Sequence, residues 1–319
     1  MTTALITGAT GQDGSYLVER LLEDGVDVHA IVRGAVRESE TALPESVVPH
    51  IADLGLPGTL APVVAEVEPD VIVNLGGISS VAFSWDNPGA TSRITGLGAV
   101  ELMDAALELS ERRGTSVRFV QASSAEIFGR AAQTPQNEST PLAPVSPYGI
   151  AKAFAHRMVS VYRQRGLLAS AAILYNHESP RRPPTFVTRK VTLGVARIAA
   201  GLDSTLRLGN LDVVRDWGWA PDYVDAILRM LSAEPDDFVI ATGVAHSVRA
   251  FVMAAFDAAG IDDGEDRIEI DERFFRPDDA PALIGDPSHA RAVLGWAPTR
   301  DFREVVAAMV AADLSEVGR

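Results

Sequence analysis

The chain has 319 residues, enough for one large domain or two modest ones, and its 47% hydrophobic and 22% charged residues are the balance of an ordinary globular protein. No run reaches the ~20 apolar residues that a membrane span needs, because Asp, Glu, Arg or Pro interrupts each one. A formal net charge of −15 argues against nucleic acid as the main partner, and zero cysteines exclude disulfides and thiolate metal sites. Together these point to a cytoplasmic protein with no metal, no membrane and no nucleic-acid partner; local arginines would have to collect any anionic ligand.

The chain enters a strand almost at once, "TTALITGAT", which leaves no room for a signal peptide. "ALITGA" reads as a strand and "DGSYLVERLLEDG" as a helix with apolar residues at helical spacing, ended by Gly25. "VDVHAIVR" and "DVIVNLGG" are further strands, and a helix runs across "GLGAVELMDAALELSERR". "VRFVQAS" follows, then a helix from about Pro147 to Arg165 leading into "ASAAILYN". Strands alternating with helices at this spacing predict an α/β fold, a Rossmann-type doubly wound parallel sheet.

After Asn176 the pattern changes. "NHESPRRPPTFVTRK" reads as a binding loop, followed by a helix "KVTLGVARIAAGL", a short strand "TLRLG" and a polar, Trp-rich segment "RDWGWAPDY". "VDAILRMLSA" and "DFVIATG" give one more helix and strand, and the tail "DPSHARAVLGWAP" and "FREVVAAMVAADL" reads as small helices. The expected division is a dinucleotide-binding domain over 1–175, to which 212–243 returns, and a smaller mixed α/β substrate domain over 176–211 and 244–319.

"TGATGQDG" sets Gly8, Gly11 and Gly14 between the first strand and the first helix, where glycine lets the backbone approach a pyrophosphate at the positive helix end. At the tip of the second strand, where NAD selectivity calls for an acid, stand Arg33 and Gly34. A guanidinium there suits the 2′-phosphate of NADP, with Arg37 in support and NAD as the alternative. Asp53 is a candidate for the adenine. "SPYGIAK" supplies Tyr148 and Lys152 one turn apart on a helix that Ser146 caps and Pro147 opens. The ammonium is expected to lower the phenol's pKa and make Tyr148 a usable acid–base group.

The glycine-rich start, a strand-end hydroxyl and Tyr-x-x-x-Lys resemble the extended short-chain dehydrogenase/reductase superfamily. Within it, "SSAEIFG", "NHESPRR", "TFVTRK", "GNLDVVRDWG" and "FRP…GDP" resemble GDP-mannose 4,6-dehydratases, from residue 3 to about 314. The resemblance implies a nucleotide-sugar hydro-lyase with NADP and GDP-mannose as ligands, and a homodimer, with a tetramer left open. Such a reaction oxidises C4, which acidifies the C5 hydrogen, and then needs a carboxylate to move that proton to the departing C6 hydroxyl. Glu126 stands at the right strand end, and burial beside Ile127 and Phe128 is expected to raise its pKa.

By matching position, the resemblance implies Ser124 on the C4 oxygen. It implies Gln12, Asp13, Leu54, Leu75, Gly76, Gly77, Ser79, His177 and Arg182 around the cofactor. Ser84, Asn176, Val187, Lys190, Arg215, Arg276 and Asp279 fall to the substrate, with the arginines on its diphosphate. Departures include Ser124 for a usual threonine, Ala125 for a serine, and "NLGGISSV" for "NLAAQSHV". The loop before Asp53 is short. A sugar epimerase or 4-ketoreductase on the same scaffold would need no carboxylate at position 126, and a non-catalytic NADP-binding protein would keep only the glycines.

Overall fold

The computed structural model describes residues 2–34, 41–274 and 282–318. The chain opens with β1 (Thr3–Thr7), α1 (Gln12–Glu23), β2 (Asp27–Val32) and β3 (Val48–Ile51), followed by α2 (Leu60–Val67) and β4 (Val71–Asn74). Next come α3 (Val81–Asp86), α4 (Pro88–Thr91), a π-helical turn (Ser92–Leu97), α5 (Gly98–Arg113), β5 (Arg118–Ser124) and a 3-10 turn (Ala125–Ile127). The middle of the chain holds α6 (Pro147–Gln164), β6 (Leu168–Leu174), β7 (Asn176–Glu178), α7 (Val187–Ala199), β8 (Leu206–Leu208) and β9 (Val214–Trp219). The remainder is α8 (Ala220–Met230), β10 (Asp237–Ile240), β11 (Ala245–Ser247), α9 (Val248–Ala258), β12 (Ile268–Ile270), α10 (Ser288–Leu294) and α11 (Phe302–Val317).

Seven strands pair in parallel in the order β10-β6-β5-β4-β1-β2-β3. Parallel strands are covered on both faces, so they read as near-continuous apolar runs. One face packs against α1, α8 and α10 through Leu17, Val18, Ile227, Met230 and Leu294; the other packs against α2, α5 and α6 through Leu60, Val64, Leu102, Met103 and Val159. Each such side chain contributes about 1.5–3 kcal/mol on full burial, more than a residue's helix propensity supplies, so packing holds these helices.

A second core unites α7, α9 and α11 through Val191, Val195, Phe251, Val252, Val306, Met309 and Val310. Two small sheets border it, β11-β9-β7 and β12-β8. β10 joins the large sheet beside β6, as the apolar "DFVI" suggests, whereas β9 lies in the three-stranded sheet.

The structure adds to the sequence reading at three places. The polar, Trp-rich segment "RDWGWAPDY" holds β9 and the start of α8. Its polar appearance comes from Asp216, which has no exposed surface and accepts from Thr242 N (2.9 Å), Thr242 Oγ1 (2.6 Å) and Gly243 N (2.8 Å). The tail is not only small helices, since α11 runs 16 residues behind a capping box of Asp301 and Glu304. β3 escaped the pattern because it is a short edge strand, largely exposed, with Pro49 inside it.

Strand order reverses between β1 and β4, and the glycine-rich turn sits at that switch point. Gly8 has φ +71, and a Cβ there would lie 2.9 Å from Leu75 C and Gly76 N at the end of β4. At Gly14 a Cβ would lie 2.1 Å from the Gly8 carbonyl oxygen and 2.6 Å from Ala9 Cα. Backbone fills both places. Gly14→Ala is therefore expected to lower stability by at least the ~1–3 kcal/mol typical of overpacking, read as a shift in the denaturant midpoint. An unchanged midpoint would show that the turn can relax.

Candidate active site

The site lies at the carboxyl ends of β1, β4, β5 and β6, where a polar ladder ends the strands. Thr7 Oγ1 donates to Asn74 Oδ1 at 2.5 Å, Asn74 Nδ2 to Gln121 Oε1 at 2.7 Å, and Gly76 N to Thr7 Oγ1 at 2.9 Å. These buried groups were not singled out from the sequence. Their signal was there: a polar residue closing each apolar run, in "ALIT", "VIVN" and "VRFVQ". The ladder holds the Gly76 loop against the first turn.

β5 delivers Ser124, and the 3-10 turn after it presents Glu126. Ser124 Oγ accepts from Glu126 N at 3.3 Å and hydrogen-bonds the Tyr148 side chain. Ile127 and Phe128 are fully buried, whereas Glu126 is half-buried and close enough to Tyr148 for its charge to act on the phenol. The question of what a carboxylate does between hydrophobic residues has a steric answer: the turn sends the two apolar side chains inward and leaves the acid at the site.

α6 begins as the sequence indicates. Ser146 Oγ accepts from Gly149 N at 3.0 Å and Pro147 occupies the first turn. Tyr148 and Lys152 are both buried. Lys152 Nζ donates to Ala122 O at 2.7 Å and stands 5.9 Å from the centre of the Tyr148 ring. Burial pushes the Lys152 ammonium down to about 8, against the pull of the Asp13 carboxylate.

The expected lowering of the Tyr148 phenol is not found. Burial pushes it up to about 12; the Ser124 hydrogen bond and the Arg182 charge pull it down, while Glu126 and Asp13 push it further up. One of the three Lys152 N–H groups donates to the Ala122 carbonyl, and desolvation is the largest influence on the phenol in the protein by itself. Ser84 also departs from its expected role. With no exposed surface, its hydroxyl donates to Val81 O at 2.6 Å and accepts from Tyr148 N at 3.2 Å, so it anchors α6 rather than facing a ligand.

The cofactor end is assembled from both parts of the chain. Gln12 Nε2 donates to His177 O at 3.0 Å, Ser179 Oγ donates to Gln12 Oε1 at 2.9 Å, and Asp13 Oδ2 lies 2.8 Å from His177 Nε2. Arg182 lies 3.2 Å from Glu178, and its charge acts on both Asp13 and Tyr148. Burial alone would raise the Asp13 carboxyl, but His177 and Arg182 hold it below 3.8; burial alone would lower His177, but Asp13 keeps it above 6.5. The pair is thus an ion pair at the first turn of α1.

Leu54 packs beside Gly76 and Gly98, and Asp53 Oδ1 accepts from Gly55 N at 2.8 Å, shaping the turn after β3. Leu75 and Gly77 lie in the loop after β4, with Ser79 exposed behind them, and Arg33 is exposed at the end of β2. Asn176 sits on β7 and Arg215, 6% exposed, on β9. Val187 opens α7, and Lys190 lies over the Phe274 ring at 3.3 Å, on the wall of a cleft of about 590 Å³. Arg37, Arg276 and Asp279 lie outside the described residues. Among the described residues no helix is long and apolar enough to cross a membrane.

The family model described as GDP-mannose 4,6 dehydratase matches residues 5–309. The chain is similar to GDP-mannose 4,6-dehydratase from Vibrio cholerae, at 41% identity over 99% of this chain and 95% of that protein. Among solved structures it is similar to UDP-glucose 4-epimerase from Thermus thermophilus in complex with NAD, at 27% identity, TM-score 0.84, covering 98% and 99% of the two chains. It is also similar to RMD from Pseudomonas aeruginosa complexed with NADPH, at 25% identity, TM-score 0.81, covering 99% and 100%.

The Asp13–His177 pair has a pH signature. Because the folded His177 value is raised, the pair's contribution is complete below pH 6.5 and fades as pH rises through that value. Because the Asp13 value is lowered, the contribution is present above pH 3.8 and fades as pH falls through the folded value. The stability difference between the parent and His177→Gln is expected to be largest between pH 3.8 and 6.5, measured by paired thermal melts. A pH-independent difference would show an uncharged contact.

Proposed function

The chain belongs to the GDP-mannose 4,6-dehydratase family, and from that premise we propose how its own side chains divide the reaction. The enzyme is a hydro-lyase that converts GDP-mannose to GDP-4-keto-6-deoxymannose by C4 oxidation, loss of water across C5 and C6, and hydride return to C6. The turn at Gly8 and Gly14, closed to any Cβ, leaves backbone N–H groups at the α1 N-terminus, which fits a dinucleotide pyrophosphate. A bound nicotinamide supplies the place where hydride from C4 is held and from which it returns to C6. NADP is our reading of that cofactor, supported by the exposed Arg33 directly after β2, where an NAD-selective chain would carry an acid.

Tyr148 takes the C4 hydroxyl proton as the carbonyl forms, and Ser124 hydrogen-bonds the same oxygen. Burial pushes the phenol up to about 12 in the protein by itself, whereas the form that takes this proton is the phenolate. The C4 carbonyl acidifies C5–H. Glu126 then accepts the C5 proton and passes it to the C6 hydroxyl, which leaves as water; with hydride returned to C6, C5 takes up one proton, the equivalent of the one Tyr148 removed from the C4 hydroxyl, so both side chains end as they began. Asn176, Val187, Lys190 and Arg215 hold the nucleotide, with Arg276 joining Arg215 on the diphosphate.

The convergence of Ser124, Glu126 and Tyr148 carries this reading. The test is mass spectrometry of GDP-mannose incubated with the purified protein. The parent is expected to remove one water, and Glu126→Gln to be slower by on the order of 10²–10⁴-fold while nucleotide-sugar binding, followed by calorimetry, persists. Dehydration at the parental rate in Glu126→Gln would remove the carboxylate from the mechanism.

We also propose a homodimer. Ile150, Phe154 and Val161 form one exposed stripe along α6, 56%, 43% and 44% exposed, with Leu97 beside the same face. A second copy of the chain covers such a stripe in this reading. Phe154→Glu is expected to halve the mass seen by light scattering, and a monomeric parent would exclude the dimer.

A further inference from the structure

The sequence singles out "NHESPRR" for Arg182, yet the loop's neighbouring arginine and a third on α7 have no part in the reaction as described. Both are engaged, and in opposite directions. Arg181 reaches α1, the helix of the cofactor turn: its guanidinium donates to Glu19 at 2.7 and 3.1 Å and to Ser15 Oγ at 3.0 Å, and it lies 3.9 Å over the Tyr16 ring. Arg189 reaches α11. It is 11% exposed and donates to Asp313 Oδ1 at 2.7 Å and to Glu316 Oε2 at 2.8 Å.

The rest of the Arg189 fork turns back to the loop, where it donates to the carbonyls of Pro180 and Arg182, the latter at 3.4 Å. Asp313 has no exposed surface, and a buried carboxylate without its cation would be costly, so the fork is held in place by its partner. Ser179 closes the turn from inside, accepting from Arg181 N at 3.1 Å through Oγ and from Arg182 N at 3.0 Å through its carbonyl. Between the two anchors stands Arg182, packed 3.9 Å over the Phe186 ring and 3.2 Å from Glu178.

We infer that Arg181 and Arg189 are positioning residues: they clamp residues 180–182 between α1 and α11 so that the Arg182 guanidinium is held beside Glu178 and over the Phe186 ring. This rests on the proposed role of Arg182 in the site. The chemistry of the fork explains the choice of residue, because one planar guanidinium spans a carboxylate and two carbonyls, whereas an ammonium cannot span all of them at once. It also gives α11, far along the sequence, a route to the catalytic centre.

The test is a double-mutant cycle on GDP-mannose dehydration, combining Arg189→Lys with Arg182→Gln. Arg189→Lys keeps a cation beside Asp313 but releases the loop carbonyls. It is expected to lower kcat by on the order of 10-fold, with a smaller change in KM for the nucleotide sugar, because the reacting groups lose alignment. In the Arg182→Gln background the same change is expected to have little further effect, since Arg189 acts through Arg182. Losses that add, or an Arg189→Lys protein with parental kcat, overturn the clamp.

Should Arg189→Lys fail to fold, Glu19→Gln carries the same cycle from the exposed side of the loop: a fall in kcat that vanishes in the Arg182→Gln background supports the clamp, and parental kcat or additive losses overturn it. A parent protein that does not dehydrate GDP-mannose sinks the proposed function instead, which separates the two failures.

Discussion

The bond from the Lys152 ammonium to the Ala122 carbonyl, 2.7 Å long and buried, sets the register of α6 against β5. A buried ammonium without an acceptor would be costly, so the helix has one favourable axial position on the strand. That position brings the Tyr148 side chain to Ser124, with Glu126 beside it on the turn that follows β5. Ser84, fixed on α3, secures the helix start through Tyr148 N. The arrangement is thus made by backbone and helix contacts before any ligand takes part.

The ammonium gives one of its three N–H groups to the carbonyl, and burial leaves Tyr148 at about 12 and Lys152 at about 8. Asp13 acts on both groups, and His177 and Arg182 keep it ionised. Two of these three partners come from the segment after β6 and the third from the first turn of α1, so the site's charge is shared across the chain.

Such sharing explains the loop of residues 179–186. Its prolines limit the backbone; Arg181 pairs with Glu19 on one side, and on the other Arg189 of α7, paired with Asp313, donates to two of its carbonyls. Isolated surface pairs contribute little, about 0–1 kcal/mol. Here Asp313 is fully buried and its partner Arg189 bridges α11 and the loop, so the consequence is positional as much as energetic.

Much of this was legible along the chain. The alternation of strands and helices, the glycine-rich turn, the Ser146–Pro147 helix start and the apolar run that returns β10 to the large sheet are local signals, because periodicity and capping act over a few residues. Packing decided the rest. The exposed edge strand β3 has no apolar face to announce it, and β9 reads as polar because Asp216 finds its partners some 26 residues later, at Thr242 and Gly243. Ser84 and Glu126 show the same division: resemblance nominates the serine and its strand-end place the acid, but only folded contacts turn the serine toward a helix N–H and leave the carboxylate near the phenol. Desolvation and long-range charge depend on distances that no local pattern contains, and these set the ionisation of Tyr148, Lys152, Asp13 and His177.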